Sequence, residues 1–259
     1  MSQSINVSKL AVRQAFDSAA QAYDSVADVQ RHICTRLAGW LPHDTTTGRL
    51  LDAGCGTGYA IPLLEHAFPQ ASLLALDLAP GMLRQPRLQR CQCIAGDMEA
   101  LPLASGSLRG YWSSLALQWC DPFAVFQEIQ RVLCAGGDAW VATLSERTLY
   151  EIRSAFAGID QADHVLHFLP EAELTQAIAQ AGLHIIQQQR SDTLAWAADA
   201  RSQLQAIKTL GAGNVAQRRR GLLGKHAWRQ VCQHLEQYRQ PQGLPTTYDV
   251  IYWHLHKAA

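Results

Sequence analysis

The sequence predicts a doubly wound α/β fold: a mostly parallel seven-stranded sheet, with helices ahead of it and a helical cap inserted before the last strand. Three observations predict it. In Leu50-Leu51-Asp52-Ala53-Gly54-Cys55-Gly56-Thr57-Gly58 an apolar run ends in an acid and glycines follow at alternate positions, the pattern of a strand, a tight turn and a helix start. The next two apolar runs also end in acids, Asp77 and Asp97. Strand-like and helix-like runs then alternate as far as Leu144, which implies right-handed crossovers and a parallel core.

Taken in order, Ser8 can cap a helix through Val12, Phe16, Ala19, Ala20 and Tyr23, which are apolar at helical spacing. A second helix is expected from Asp28 to Trp40, stopped by Leu41-Pro42. Arg13, Asp17, Asp24, Arg31 and His32 read as a solvated face. Strand one is followed by a helix from Tyr59 to Phe68. The second strand, Ser72–Leu76, ends at Asp77, and Pro80-Gly81-Met82-Leu83 begins a short helix truncated by Pro86. Cys93–Ala95 and Gly110–Ser114 are the third and fourth strands. Asp121-Pro122 caps a helix closed by Gly136-Gly137, ahead of a fifth strand at Ala139–Leu144. Helices over 149–159 and 171–181 and a strand over 183–187 follow. Helices over 198–210 and 222–238 precede the last strand, Tyr248–Leu255, which is rich in aromatic and β-branched residues. These boundaries divide the chain into N-terminal helices (1–48), an α/β core (49–190), a cap over the acceptor side (191–245) and a final strand returning to the sheet (246–259).

At 259 residues, 48% hydrophobic and 17% charged, the chain is a packed globule. Its formal net charge of zero gives no bulk argument for a nucleic-acid or membrane partner. The seven cysteines form neither a Cys-x-x-Cys zinc pair nor a redox pair, so no metal is expected. With no signal-peptide pattern and no membrane-length apolar run, a cytoplasmic, reduced location is expected.

The glycine loop departs from a dinucleotide fingerprint because Tyr59 stands where the last small residue belongs. It departs from a P-loop because no Lys-Ser or Lys-Thr follows. A nucleoside ligand without a pyrophosphate fits better. Asp77 would accept from ribose hydroxyls, Asp97 from an exocyclic amine, and Met98 would cover a ring face. Asp-x-Gly-x-Gly-x-Gly, the acid after the second strand, and Gly96-Asp97-Met98-Glu99-Ala100-Leu101-Pro102-Leu103 resemble the S-adenosylmethionine site of class I methyltransferases. The resemblance implies cofactor contacts from Tyr23, Gln30, Asp52, Gly54, Cys55, Gly56, Gly58, Asp77, Leu78, Met82, Asp97, Met98, Ser113 and Leu115. Tyr23 and Gln30 enter through Tyr23-Asp24-Ser25-Val26-Ala27-Asp28-Val29-Gln30, which matches a segment that folds over the cofactor in that family. S-adenosylhomocysteine would be the product.

After the fourth strand, Trp112-Ser113-Ser114-Leu115-Ala116-Leu117-Gln118-Trp119-Cys120 offers no His, Asp, Glu or Lys to face the methyl group. Carbon, phenol and amine acceptors must lose a proton, whereas a carboxylate is already anionic at neutral pH. The stretch resembles the malonyl-[acyl-carrier-protein] O-methyltransferases of biotin biosynthesis, as do Phe168-Leu169-Pro170, Leu210-Gly211-Ala212-Gly213-Asn214, Arg218-Arg219-Arg220-Gly221-Leu222 and Leu244-Pro245-Thr246-Thr247-Tyr248. The implied reaction methylates the free carboxylate of a malonyl thioester, masking its charge so that elongation enzymes accept it as a primer. No general base is expected. Acceptor positioning is assigned to Tyr23, Gln118, Trp119, His167, Phe168 and Lys208. Arg218, Arg219, Arg220 and Lys225 form a dense basic cluster suited to docking an acidic carrier protein. His167 stands where family members often carry Arg, and Ser114 where Asn is usual. The alternatives are a methyltransferase of another small acceptor, such as a free polycarboxylate or quinone precursor, and a silent cofactor-binding module. A tRNA methyltransferase fits poorly with one basic cluster on a neutral chain.

Overall fold

The computed structural model describes residues 8–21, 23–25, 27–44, 47–160, 162–209 and 223–259. Two helices, α1 (Lys9–Ala19) and α2 (Asp28–Ala38), precede the sheet. Ser8 caps α1, its hydroxyl accepting from the Ala11 amide at 3.4 Å. The first helix stops at Ala19, and Tyr23 lies in a separate 3₁₀ turn, Tyr23–Ser25.

The core follows as β1 (Gly48–Ala53), α3 (Ile61–Ala67), β2 (Ala71–Asp77), β3 (Gln92–Ala95), β4 (Leu108–Ser114), α4 (Pro122–Val132) and β5 (Leu133–Leu144). Then come α5 (Tyr150–Phe156), α6 (Glu171–Ala181), β6 (His184–Ala197), α7 (Ala200–Thr209), α8 (Lys225–Glu236) and β7 (Leu244–His256). One mixed sheet has the order β3-β2-β1-β4-β5-β7-β6. Strands β1 to β5 pair in parallel and β7 is antiparallel to both neighbours. The seven-stranded, mostly parallel sheet, the leading helices and the helical insertion before the last strand are as the sequence predicts. Sequence order reverses between β1 and β4, and the loops after both strands meet at that crevice.

Packing explains the layers. Leu51, Tyr111, Val141 and Trp253 join Phe126 and Ile129 of α4 on one face of the sheet; Leu50, Trp112, Trp140 and Tyr252 join Ile33 and Leu37 of α2 on the other. Asp121 caps α4 by accepting from the Phe123 amide at 3.0 Å, with Pro122 at the first helical position.

Other boundaries also differ from expectation by several residues. The helix before β5 ends at Val132, and the Gly136-Gly137 pair lies inside β5, where the Gly136 amide donates to the Lys257 carbonyl at 2.9 Å. The strand expected to end at Gln187 continues to Ala197, pairing as far as Ala197 with Leu244. Residues 187–193 are all polar and hide the strand in sequence, but an edge strand tolerates polar residues. Arg190 pins this extension, donating to both carboxylate oxygens of buried Asp249 at 2.8 and 2.6 Å and to Glu171 at 2.9 Å.

Candidate active site

The crevice at the strand reversal opens into a cleft enclosing about 710 Å³, part of it open to solvent. Gly54, Gly56, Asp77, Leu78, Met82, Asp97, Met98 and Leu115 line it, so the structure brings together residues from four strand ends. Gly54 has φ +72°, and a Cβ there would collide with Ala116 across the crevice. The Asp77 carboxylate accepts from the Gly56 amide at 2.9 Å and the Ala79 amide at 2.8 Å, which fixes its orientation at the end of β2. Burial pushes its pKa up against those two bonds.

A second recess continues the cleft past Gly54, lined by Tyr23, Gln30, Arg31, Cys34, Asp52 and Cys55, among others. Here Asp52 Oδ2 and Gln30 Oε1 are buried acceptors without a protein donor. Burial, with the nearby Asp77 charge, pushes the Asp52 carboxyl up to about 8. Two orphaned acceptors require a donor, and a cationic amine satisfies both.

A third recess adjoins Tyr23 and is lined by Phe16, Tyr23, Gln30, Leu115, Gln118, Trp119, Leu144, Leu166, Phe168 and Tyr248. Phe16 links its walls, stacking edge-on to Trp119 at 5.5 Å and lying 6.2 Å from Tyr23. Desolvation pushes the phenols of Tyr23 and Tyr248 up to about 12, so both remain hydrogen-bond donors at neutral pH.

Four sequence expectations are corrected. Ser113 is fully buried and donates to the Ala53 carbonyl at 2.9 Å; strand alternation turns Ser114 to the cleft instead. His167 is exposed and borders a small neighbouring recess with Gln118 and Thr143, not the one beside Tyr23. Gly58 borders none of these recesses: a Cβ there would meet Leu88, so its role is packing against the loop before β3. Asp17, Asp24 and Arg31 do not form a solvated face. Asp17 accepts from the Gly81 amide at 2.7 Å, and Asp24 accepts from the Thr57 hydroxyl at 2.6 Å and Arg87 at 2.7 Å. Arg31 donates to the Asp24 carbonyl and to Asp28, and it borders the recess that holds the orphaned acceptors.

Lys9 was missed altogether. It ion-pairs with Asp97 and, at 2.6 Å, with Glu99, closing α1 over the far end of the cleft. Its only sequence signal is a lone Lys one place after the Ser8 cap. Lys208 lies in α7, but its side chain falls outside the described residues, as do Arg218, Arg219 and Arg220. Lys225 opens α8 and is exposed. Among the described residues no His, Cys, Asp and Glu cluster is arranged to hold a metal, and no helix is long and apolar enough to cross a membrane.

The residues fit S-adenosylmethionine. Asp77 would hold the ribose, Asp97 the adenine amine between Leu78 and Met98, and the orphaned Asp52 and Gln30 oxygens the methionine ammonium. The open space beside Gly56, where a Cβ would meet nothing within 4 Å, leaves room for the ligand against the backbone.

Comparison with known proteins agrees. A family model described as a methyltransferase domain matches residues 51–141. A malonyl-[acyl-carrier protein] O-methyltransferase of Dechloromonas aromatica is 45% identical over 251 residues, covering 96% of this chain and 95% of that protein. The enzyme of the same name from Laribacter hongkongensis is 40% identical, covering 100% of this chain and 93% of the relative. Among solved structures, the complex of the Haloferax volcanii Trm112 methyltransferase activator with a methyltransferase superposes with a TM-score of 0.61 at 20% identity. It covers 96% of this chain and 98% of the matched one, a likeness of fold. The chain belongs to the malonyl-[acyl-carrier protein] O-methyltransferase family and uses S-adenosylmethionine as its methyl donor.

Proposed function

We propose that this enzyme methylates the free carboxylate of malonyl-[acyl-carrier protein], giving the methyl ester that primes pimeloyl synthesis for biotin. The observation that carries the proposal is the chemistry of the recess beside Tyr23. Its described lining contains no Asp, Glu, His or Lys, and its two phenols are held protonated. Such a site supports an acceptor with no proton to lose.

Bound S-adenosylmethionine supplies an electrophilic methyl group on a sulfonium. The chain's own residues do the rest. Asp52, Gln30, Asp77 and Asp97 anchor the cofactor's two ends, while Tyr23, Trp119 and Phe168 exclude water and align the acceptor for in-line attack. The phenols of Tyr23 and Tyr248 donate to the acceptor carboxylate. Arg31 is the cation suited to the cofactor's own carboxylate. At saturating substrates kcat is expected to stay flat between about pH 6.5 and 9, since no base must titrate. A rise through one ionisation would mean that an acceptor proton is being removed.

The helices α7 and α8 cap the acceptor side, and carrier docking belongs to the same proposal. Lys225 is exposed at the start of α8, five positions after the Arg218-Arg219-Arg220 run. Charge reversal there is expected to raise the apparent KM for carrier-bound substrate and spare a small malonyl thioester. Equal loss on both substrates would contradict docking. Enzyme and carrier would meet in the cytoplasm.

A further inference from the structure

We propose that Thr143, on β5, is a positioning residue for methyl transfer, acting through the Gln118 amide on the backbone of Leu115. The proposal rests on the acceptor recess described above.

Leu115 follows β4 with φ +58°, and only it and Leu149 are non-glycine residues with positive φ among the described residues. A side chain crowds the backbone in that region, so the conformation persists only where its surroundings enforce it. Three contacts do so. The Leu115 amide donates to the Ala142 carbonyl at 2.8 Å, and its carbonyl accepts from Gln118 Nε2 at 2.6 Å. Gln118 Oε1 in turn accepts from the Thr143 hydroxyl at 3.2 Å, and Thr143 is only 1% exposed.

The relay has one polarity. A carbonyl can only accept, so Gln118 must turn its NH₂ to Leu115 and its oxygen to Thr143. The Thr143 hydroxyl must therefore donate. A rigid central strand thus dictates the angle of the turn through a single amide.

That turn is the wall the cofactor cleft and acceptor recess share, since Leu115 and Trp119 line both. Ala116, the next residue, abuts Gly54, and Trp119 packs on Phe16 of α1. Loosening Leu115 displaces the acceptor relative to the methyl group more than it weakens either ligand. In-line displacement is sensitive to such misalignment.

Thr143→Val keeps the shape and removes the donor, whereas Thr143→Ser keeps the donor. Loss of one such bond corresponds to about a tenfold change. Thr143→Val is expected to speed hydrogen exchange across residues 115–119 about tenfold and to lower kcat by a similar factor. KM for the cofactor should move less than about threefold, and Thr143→Ser should restore both exchange and kcat. Gln118→Glu should cost at least as much, and adding Thr143→Val to it should cost little more, because both variants break one relay. Wild-type exchange and kcat in Thr143→Val, or no recovery in Thr143→Ser, would overturn the proposal. An inactive wild type would defeat the functional reading alone, because the exchange measurements decide the relay without turnover.

Discussion

Gly54 and Gly56 sit two residues apart in one loop and are required for different reasons. A Cβ at Gly54 meets Ala116, while one at Gly56 meets no protein atom and enters the ligand's space. Both have positive φ, which costs alanine about 1–2 kcal/mol. Gly54→Ala should therefore lower the melting temperature well beyond that strain. Gly56→Ala should lower it only slightly, and both should lose cofactor binding by calorimetry. Asp52 gives a pH test. Its carboxyl is raised to about 8 in the folded chain, so the folded state holds the proton more tightly than the unfolded one. The cofactor-free protein should lose stability as pH rises from about 4 to about 8. A cationic amine favours the ionised form, so cofactor affinity should increase by up to about tenfold per pH unit below about 8 and then level off. Titration calorimetry should show proton release on binding near neutral pH, and Asp52→Asn should abolish it. The glycines and strand-end acids were legible because a sharp turn and a polar ligand each demand specific residue types. Lys9 and Ser114 were not, since one is a lone cation and the other differs from Ser113 by one step of strand alternation.

At the scale of elements, the leading helices are latched to the core by polar side chains that resemble an ordinary solvated face in sequence. Asp17 holds the Gly81 amide, Asp24 holds Thr57 and Arg87, and Lys9 holds Asp97 and Glu99. Helical periodicity shows which side of α1 is apolar, but not that its polar side meets loops more than 30 residues away. Asp24→Ala removes one bond from buried Thr57 and one ion pair with half-exposed Arg87, about 1 kcal/mol after allowing for solvent screening. It should raise the cofactor Kd about fivefold and speed proteolysis within residues 8–25, leaving the melting temperature of the core nearly unchanged. An unaltered Kd would mean that the latch does not serve the cofactor. The length of β6 was hidden for a related reason: Arg190 and Asp249 pair across strands, and no local pattern announces that bond.

The whole molecule keeps its chemistry at the carboxyl ends of the strands and a charged clasp at the other. There Asp138 receives His254 and His256 at 3.0 Å each and Arg109 at 3.2 Å, tying β4, β5 and β7 together. Burial alone would raise its carboxyl, but the three donors outweigh it and hold it at about 2. Its contribution is complete above the unfolded carboxylate range and is lost as pH falls from about 4 through about 2. Asp138→Asn should lower the melting temperature at neutral pH and flatten its acid dependence, with methyl transfer unchanged. Arg109, at the entry to the fourth strand, serves this clasp. The architecture was legible because hydrophobic periodicity and connection rules leave few alternatives for alternating strands and helices. The recess beside Tyr23 was legible only in part, because it is assembled from seven separate segments. The most direct test of the account is methyl transfer from labelled S-adenosylmethionine to purified malonyl carrier protein, with acetyl carrier protein as control. Label should enter the malonyl form alone and leave as methanol in base; equal labelling of the acetyl form, or base-stable label, would contradict an ester at the free carboxylate.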